Sequence, residues 1–201
     1  MRIEIPTIKD YFVKASSVES KSLNNNLGTE VYVNQEISKD VRLIAERVQE
    51  ANLDLTPRHS PYKQLGYKTK KKLKNKVEDR TITKEEWKRL EWNRRLAARR
   101  DEGVEKFWDQ ERFRIENGEP TTRDWSKEQI EDILNDKVPK FNGKTIAGHH
   151  SYSVSKFPHL ANKGEIIYPA TPNEHFKRWH GGAYRRSLPG KPYKPSYPEE
   201  F

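Results

Sequence analysis

Histidines are concentrated in one stretch of the sequence, residues 145–182. Five of the six histidines of the chain lie within it, namely His149, His150, His159, His175 and His180. Neutral imidazole is the commonest metal ligand among side chains, and its pKa lies nearest to neutral pH. A histidine cluster can therefore hold a divalent ion and also activate water. The stretch constrains the fold, because its local structure must bring several of these rings together.

Two strands are predicted around the first histidine pair. Residues 144–147 read as a strand that delivers His149 and His150, and residues 165–168 read as a second strand after turn residues at 162–164. Successive side chains of a strand point to opposite faces, so the two adjacent histidines cannot both face one ion. One of them can bind metal while its neighbour acts as a base.

A helix is predicted to follow, carrying His175 and ending near His180. Thr171 is suited to the N-cap, Pro172 to the first helical position, and Glu174 completes a capping box. The Gly-Gly pair that comes next is a strong stop signal. On a regular α-helix, five steps of 100° leave the two histidines about 140° apart. Both can reach one ion only if the last turn is distorted.

This stretch resembles the ββα-metal nucleases of the HNH/endonuclease VII superfamily, and within them the GHH-type nucleases of bacterial polymorphic toxins. Gly148-His149-His150 matches the GHH signature, and the likeness continues through the loop at 158–162 to the second strand and the helix. The resemblance implies that His149 and His175 are metal ligands, that His180 completes the metal site, and that His150 is the general base.

The resemblance also implies roles for other residues of the stretch. Asn162 and Glu165 are the two candidates for the loop-ordering role of the middle asparagine in the HNH name. Three arginines, Arg178, Arg185 and Arg186, are the candidates for contacts with the substrate phosphates. The expected cofactor is one divalent ion, with Mg²⁺ placed first and Zn²⁺, Mn²⁺ or Ni²⁺ as alternatives.

The implied function is a metal-dependent endonuclease that hydrolyses phosphodiester bonds of DNA. An RNase with the same site is one alternative, and a non-catalytic, metal-stabilised nucleic-acid-binding module is another. Structural zinc sites are usually closed by four ligands that often include cysteine, whereas this chain contains none. An open histidine site favours catalysis over a structural role.

The toxin resemblance implies further partners and a location. It implies antibacterial use, a cognate immunity protein, and a carrier or secretion machinery. The sequence has no apolar run long enough for a membrane span and lacks the apolar core of a signal peptide at its start. We therefore expect synthesis in the bacterial cytoplasm, export by a specialised system, and action in the cytoplasm of the target cell.

Positive charge is concentrated around the same stretch. The chain has a formal net charge of +9, and residues 139–201 hold ten Lys/Arg and four acidic residues, or +6. Neutralisation of phosphates supplies most of the sequence-independent affinity for nucleic acid. The charge therefore suits a phosphodiester substrate.

The rest of the chain predicts a mainly helical support. An amphipathic helix is expected from Ser38 to about Asn52. A longer helix is expected from Thr83, which forms a capping box with Glu86, and Gly103 is a point of interruption. The aromatic residues of this longer helix are interpreted as core.

We therefore expect an α+β fold with a ββα-metal nuclease motif near the C-terminus, packed on a mainly helical region and followed by an extended Pro-rich tail. Four segments are expected: an N-terminal region without assigned role at 1–62, a basic connector at 63–80, a helical support at 81–138, and the motif with its tail at 139–201. The connector contains a lysine-rich run, for which a phosphate-binding arm is the alternative interpretation.

Overall fold

The computed structural model describes residues 38–201, which form one compact unit. The first 37 residues of the expected N-terminal region lie outside the described residues. The segment divisions expected after residues 62, 80 and 138 all fall inside the described unit. They stay predictions about the roles of segments.

The described unit combines helices with small antiparallel sheets, so the α+β class is confirmed. A π-helix (Glu174–Trp179) follows the last strand and completes a ββα arrangement. The other helices are α1 (Lys39–Glu50), α2 (Tyr67–Glu78), α3 (Lys84–Glu116) and α4 (Lys127–Leu134), and the strands are β1 (Lys140–Phe141), β2 (Lys144–Thr145), β3 (Ala147–His150) and β4 (Ile167–Ala170).

Capping boxes start α3, as the sequence predicts, and also α4. At α3, the Thr83 hydroxyl accepts the Glu86 N–H and the Glu86 carboxylate accepts the Thr83 N–H. Ser126 and Gln129 make the same pair of bonds at α4. At α1 the hydroxyl of Ser38 does not cap the helix, because it donates to the carboxylate of Asp40 instead.

Helix α3 is one continuous element of 33 residues, so the predicted interruption at Gly103 is wrong. Its aromatic residues are only partly core. Phe107 is fully buried, whereas Trp87 is 49% exposed and Phe113 is 56% exposed, because a helix of this length extends beyond the elements that pack on it. Neither α3 nor any other helix of the described residues is apolar enough to cross a membrane.

The predicted strand boundaries are wrong by a few residues. The first predicted strand is divided, because β2 ends at Thr145 and β3 starts at Ala147. The histidine pair therefore lies within β3 and does not follow the strand as predicted. The second strand starts at Ile167, since Gly164–Ile166 forms a 3₁₀ turn. In this turn Gly164 packs closely against α3, so that an added Cβ would lie 2.8 Å from a backbone nitrogen of that helix.

The main core lies between α1, α3 and the β3–β4 hairpin. Strands β3 and β4 pair antiparallel, with His149 opposite Tyr168 and His150 opposite Ile167. Trp179 of the π-helix and Phe107 of α3 both belong to this core. Burial of such side chains stabilises the fold by about 1.5–3 kcal/mol each. The core therefore fixes the hairpin and the π-helix against one another.

The tail, residues 183–201, contains turns and one isolated bridge between Leu188 and Lys191. The expectation that it is extended is not confirmed. The tail contacts the start of the π-helix, where the buried Glu174 accepts two bonds of 3.0 Å from Arg123 and one from the Glu200 N–H. Arg123 also donates to the carbonyl oxygen of Phe201. A buried carboxylate is stable only when paired in this way.

Candidate metal and catalytic site

His149 points from β3 into the protein, where it meets the π-helix. It is buried, and its ring centroid lies 4.9 Å from that of His175 and 5.0 Å from that of His180. Trp179 packs against the same ring at 4.5 Å between centroids. The strand and the helix therefore bring three imidazole rings together.

The π-helix places His175 and His180 on one side of their element. The His180 N–H donates to the His175 carbonyl oxygen at 3.2 Å, which is the five-residue bond of a π-turn. This is the distorted last turn that the sequence requires. Gly181 and Gly182 follow with φ values of 53° and 80°, and the Gly182 N–H bonds the Phe176 carbonyl. Both glycines occupy a left-handed conformation that ends the helix.

The three rings fit a divalent metal ion. One nitrogen from each of His149, His175 and His180 lies within 4.8 Å of the other two, and the Nε2 atoms of His175 and His180 are 3.3 Å apart. Two nitrogen ligands at 2.0–2.1 Å in a tetrahedral zinc site would be about 3.3 Å apart. The Nδ1–H of His180 donates to the Arg186 carbonyl oxygen at 2.6 Å, which leaves its Nε2 lone pair available.

Burial keeps two of these rings, those of His149 and His175, in the neutral form that a metal ion requires. Desolvation, reinforced by His175 and His180, lowers the pKa of His149 well below its usual value. Desolvation also lowers the pKa of His175 to about 4, with smaller contributions from His180 and Arg100. A free lone pair on each ring is therefore maintained at neutral pH.

His150 points to the opposite side of β3, as the alternation of a strand predicts. Its Nε2 lies 2.9 Å from the Ala161 carbonyl oxygen. A carbonyl only accepts, so Nε2 carries the proton and Nδ1 keeps its lone pair. Desolvation lowers the pKa of His150 to about 4. The ring is thus held as a neutral hydrogen-bond acceptor beside the metal cluster.

The loop that supplies the Ala161 carbonyl is tied to α3 through Asn162. Arg99 donates to the Asn162 side-chain oxygen at 3.0 Å and to the His159 carbonyl at 2.9 Å. The Asn162 amide in turn donates to Glu102 at 3.3 Å. This geometry suits a loop-ordering residue.

Glu165 lies farther along the same loop and meets a different part of α3. Its carboxylate accepts from Gln110 at 3.1 Å. It does not join the three-histidine cluster. Of the two loop-ordering candidates, Asn162 is therefore the one adjacent to the carbonyl that holds His150.

Gly103 allows α3 to approach this loop closely. A Cβ added at Gly103 would lie 2.5 Å from the Ala161 carbonyl oxygen and 3.2 Å from the Asn162 Cα. The first contact is shorter than Cβ atoms of folded proteins adopt and the second is tighter than most, and both involve backbone that cannot rotate away. The missing side chain of Gly103 is thus what lets the carbonyl reach His150.

Residues 90–171 match the model of the Tox-GHH family, described as GHH signature containing HNH/Endo VII superfamily nuclease toxin. These residues, about two fifths of the chain, are similar to nuclease toxins of this family. The matched residues include the GHH triplet and the loop-bearing hairpin, while His175 and His180 lie beyond them. No curated protein matches the chain.

The three candidate arginines lie in different environments. Arg178 is 5% exposed and donates to Asp40 at 2.7 and 3.1 Å and to the carbonyls of Pro195 and Tyr197. The donors of its side chain are used inside the protein, which disfavours the expected contact with substrate. Removing one partner of such a buried pair typically costs about 3–5 kcal/mol.

Arg185 and Arg186 lie in the turn after the π-helix and are exposed. The Arg186 side chain donates to the Gly181 carbonyl and lies over the Tyr193 ring at 5.3 Å. Within the described residues, the Arg185 side chain has no hydrogen bond or ion pair. Of the two, Arg185 is the one left available for a phosphate.

Sequence reasoning missed the contribution of α3 to the nuclease site. Arg100 is exposed and close enough to lower the pKa of His149, His150 and His175. It resembles the other arginines of a charged helix, so the sequence gives no signal that separates it from them. Gly103 did give a signal, since glycine inside a helical pattern usually has a packing reason.

The metal cluster can be tested by titration. The wild-type protein should bind one Zn²⁺ or Ni²⁺ ion in calorimetry. His175→Ala should weaken binding by more than the roughly 10–100-fold that loss of a supporting hydrogen bond costs, because a ligand itself is lost. His159→Ala is the matched control, since its ring bonds the Asp54 carbonyl away from the cluster. Equal losses in both variants would contradict the assignment.

Gly103→Ala should displace the Ala161 carbonyl from His150. We expect a loss of stability of about 1–3 kcal/mol from overpacking and a lower rate of nucleic-acid cleavage in the fraction that remains folded. Chemical denaturation and cleavage assays measure the two effects. Ala98→Gly, at an exposed position of the same helix, controls for helix propensity. A fully active, equally stable Gly103→Ala protein would show that the close approach is unimportant.

Proposed function

We propose that this protein is a metal-dependent endonuclease that hydrolyses phosphodiester bonds of DNA. The observation that supports this most directly is that the two histidines of β3 lie on opposite sides of the strand. His149 joins a three-histidine cluster on one side of the strand, while the His150 ring on the other side bonds the Ala161 carbonyl through Nε2 and keeps the lone pair of Nδ1. Metal-assisted hydrolysis needs both a ligand set and an adjacent base.

His149, His175 and His180 would hold the ion. When bound, a divalent ion polarises the scissile phosphate and stabilises the leaving 3′ oxygen. Imidazole ligands suit Zn²⁺ and Ni²⁺, whereas Mg²⁺ prefers oxygen ligands. The three-imidazole set therefore favours a transition ion over the Mg²⁺ that the sequence analysis places first.

His150 would take the proton of the attacking water through Nδ1. The Ala161 carbonyl holds the other proton on Nε2, so the ring cannot present the wrong tautomer to the water. The same carbonyl would stabilise the imidazolium that forms. Asn162 and Gly103 act indirectly, by holding that carbonyl in place.

Positive groups around the site suit a phosphate strand. Arg100 on α3 and Arg185 after the π-helix are exposed on the elements that carry the site. Guanidinium groups bind phosphate oxygens in a bidentate manner. We propose these two residues, rather than Arg178, as contacts to the strand beside the scissile bond.

The two alternatives to a DNase differ in their support. A structural metal site is usually closed by four protein ligands, whereas the cluster in the described residues has three. This difference favours catalysis over a non-catalytic nucleic-acid-binding module. Preference for DNA over RNA follows from the family resemblance, and parallel digestion of plasmid and RNA, each with metal and with chelator, distinguishes the two.

His150→Ala should reduce plasmid cleavage by about 10²–10⁴-fold, the usual cost of losing a general base. Metal affinity should change little, because His150 is outside the cluster. Cleavage kinetics and calorimetry on the same preparation measure both, with His159→Ala as control. Cleavage at the wild-type rate would reject His150 as the base.

We also propose that the protein acts against competing bacteria. The similarity of residues 90–171 to a nuclease toxin family supports action in a target cell and a cognate immunity protein in the producer. Synthesis in the producer cytoplasm, export through a carrier or secretion machinery, and action in the target-cell cytoplasm are the proposed sequence of events. Cleavage of target-cell nucleic acid after delivery tests this proposal in co-culture with susceptible bacteria.

The immunity protein should be acidic and should cover the site. The +6 formal charge of residues 139–201 gives an acidic partner a surface to recognise. Complementary charge accelerates association, and salt screens it. Association rates with the product of the neighbouring gene should fall as salt rises. A basic partner, or a rate that ignores ionic strength, would mean that the charge serves nucleic acid alone.

A further inference from the structure

Tyr184 is an exposed aromatic residue that touches the histidine cluster. Its ring centroid lies 5.4 Å from that of His180 and 5.9 Å from that of His175. Phe176 supports it from the π-helix at 4.9 Å. The tyrosine is nevertheless 65% exposed. The ring therefore stands at the edge of the site, with much of its surface open to solvent.

The backbone around Tyr184 is held by hydrogen bonds on both sides. The Ala183 N–H donates to the His180 carbonyl at 3.0 Å, and the Arg186 N–H donates to the Ala183 carbonyl at 2.8 Å. The Arg186 carbonyl in turn accepts from the His180 ring. The segment that presents the tyrosine is thus fixed to a residue of the metal cluster.

The packing around the ring leaves room for a stacked group. Its planes meet those of His175, His180 and Phe176 at 66°, 62° and 48°, so none of these contacts is face to face. Arg185 follows directly and is exposed. An open aromatic ring next to a free cation is the combination that binds single-stranded nucleic acid, with base stacking on the ring and phosphate on the cation.

The position of Tyr184 relative to the cluster decides what it would bind. Successive bases along a strand are 3.4 Å apart, so a ring in contact with two metal-site histidines is within one or two nucleotides of the scissile phosphate. A base can stack on it only after leaving its own helical stack. Such a site favours single-stranded or distorted DNA over a regular duplex.

We infer that Tyr184 stacks against an unpaired base next to the scissile phosphate and gives the enzyme a preference for unpaired DNA. This inference rests on the proposed nuclease function. Other exposed aromatic residues, such as Phe113 on α3, lie outside the cluster of site residues. They provide controls of similar chemistry.

The test uses a labelled single-stranded DNA oligonucleotide whose cleaved bonds have been mapped with the wild-type protein. An abasic nucleotide is then placed on either side of one cleaved bond. We expect one of the two placements to slow single-turnover cleavage by about 5- to 150-fold, the value of one stacked base. Tyr184→Ala should slow cleavage of the intact oligonucleotide to a similar extent.

The two losses should not add, because each removes the same contact. Tyr184→Phe and Tyr184→Trp should retain the wild-type rate within a few-fold, and Phe113→Ala should match wild type. The preference for the single strand over its duplex should shrink in Tyr184→Ala. If Tyr184→Ala slows intact and abasic oligonucleotides equally, the ring only packs against the histidines and the inference is wrong.

A binding measurement separates this inference from the nuclease proposal. Fluorescence anisotropy compares His150→Ala with the His150→Ala, Tyr184→Ala double variant on a set of single-stranded oligonucleotides that carry the abasic nucleotide at each position in turn, so that no mapped cleavage site is needed. If the wild-type protein cleaves no nucleic acid, the proposed nuclease function fails. Binding that weakens with the abasic nucleotide only when Tyr184 is present would still support stacking. Identical binding of all oligonucleotides by both proteins would overturn it.

Discussion

The hydrogen bond from the His180 N–H to the His175 carbonyl fixes the geometry on which the candidate site depends. In a regular α-helix the two rings would face different directions. The five-residue bond inserts one extra residue into the turn and brings their Nε2 atoms to 3.3 Å. Single π-turns of this kind are found mostly at functional sites, and here the turn provides two of the three histidines of the cluster.

The opposite side of β3 depends on a backbone atom rather than on a side chain. The Ala161 carbonyl sets the tautomer of His150, and α3 holds that carbonyl through Asn162 and through the close approach at Gly103. Strand alternation places His149 and His150 on opposite sides of β3. The π-helix packs against His149, and α3 holds the loop that contacts His150. The long helix is therefore part of the site, although it supplies no metal ligand.

Local signals predicted the elements well. The capping boxes at Thr83, Ser126 and Thr171 all form, because each depends on residues three positions apart. Grouping of the three histidines also followed from local rules together with the family resemblance. The role of Arg178 could not be predicted, since its partner Asp40 is 138 residues away. A basic residue on a site helix looks the same in sequence whether its charge is buried or free.

The open surface of Tyr184 was similarly hidden in the sequence. The turn after the π-helix fixes the neighbours of Tyr184. That turn itself follows from the π-turn that ends at His180. The aromatic pattern of α3 misled for a related reason. Helical spacing shows which residues share a face, whereas the length of the neighbouring elements decides how much of that face is covered.

The polar contacts that anchor the π-helix also bear on the order of folding. They join residues separated by 51, 78 and 138 positions, through Arg123 with Glu174 and Phe201 and through Arg178 with Asp40. Closing such long loops costs chain entropy before the stabilising contacts form, so chains rich in non-local contacts fold slowly. Helix α3 needs only bonds between near neighbours. Helix α3 can therefore form early. The histidine cluster forms only after distant parts of the chain have come into contact.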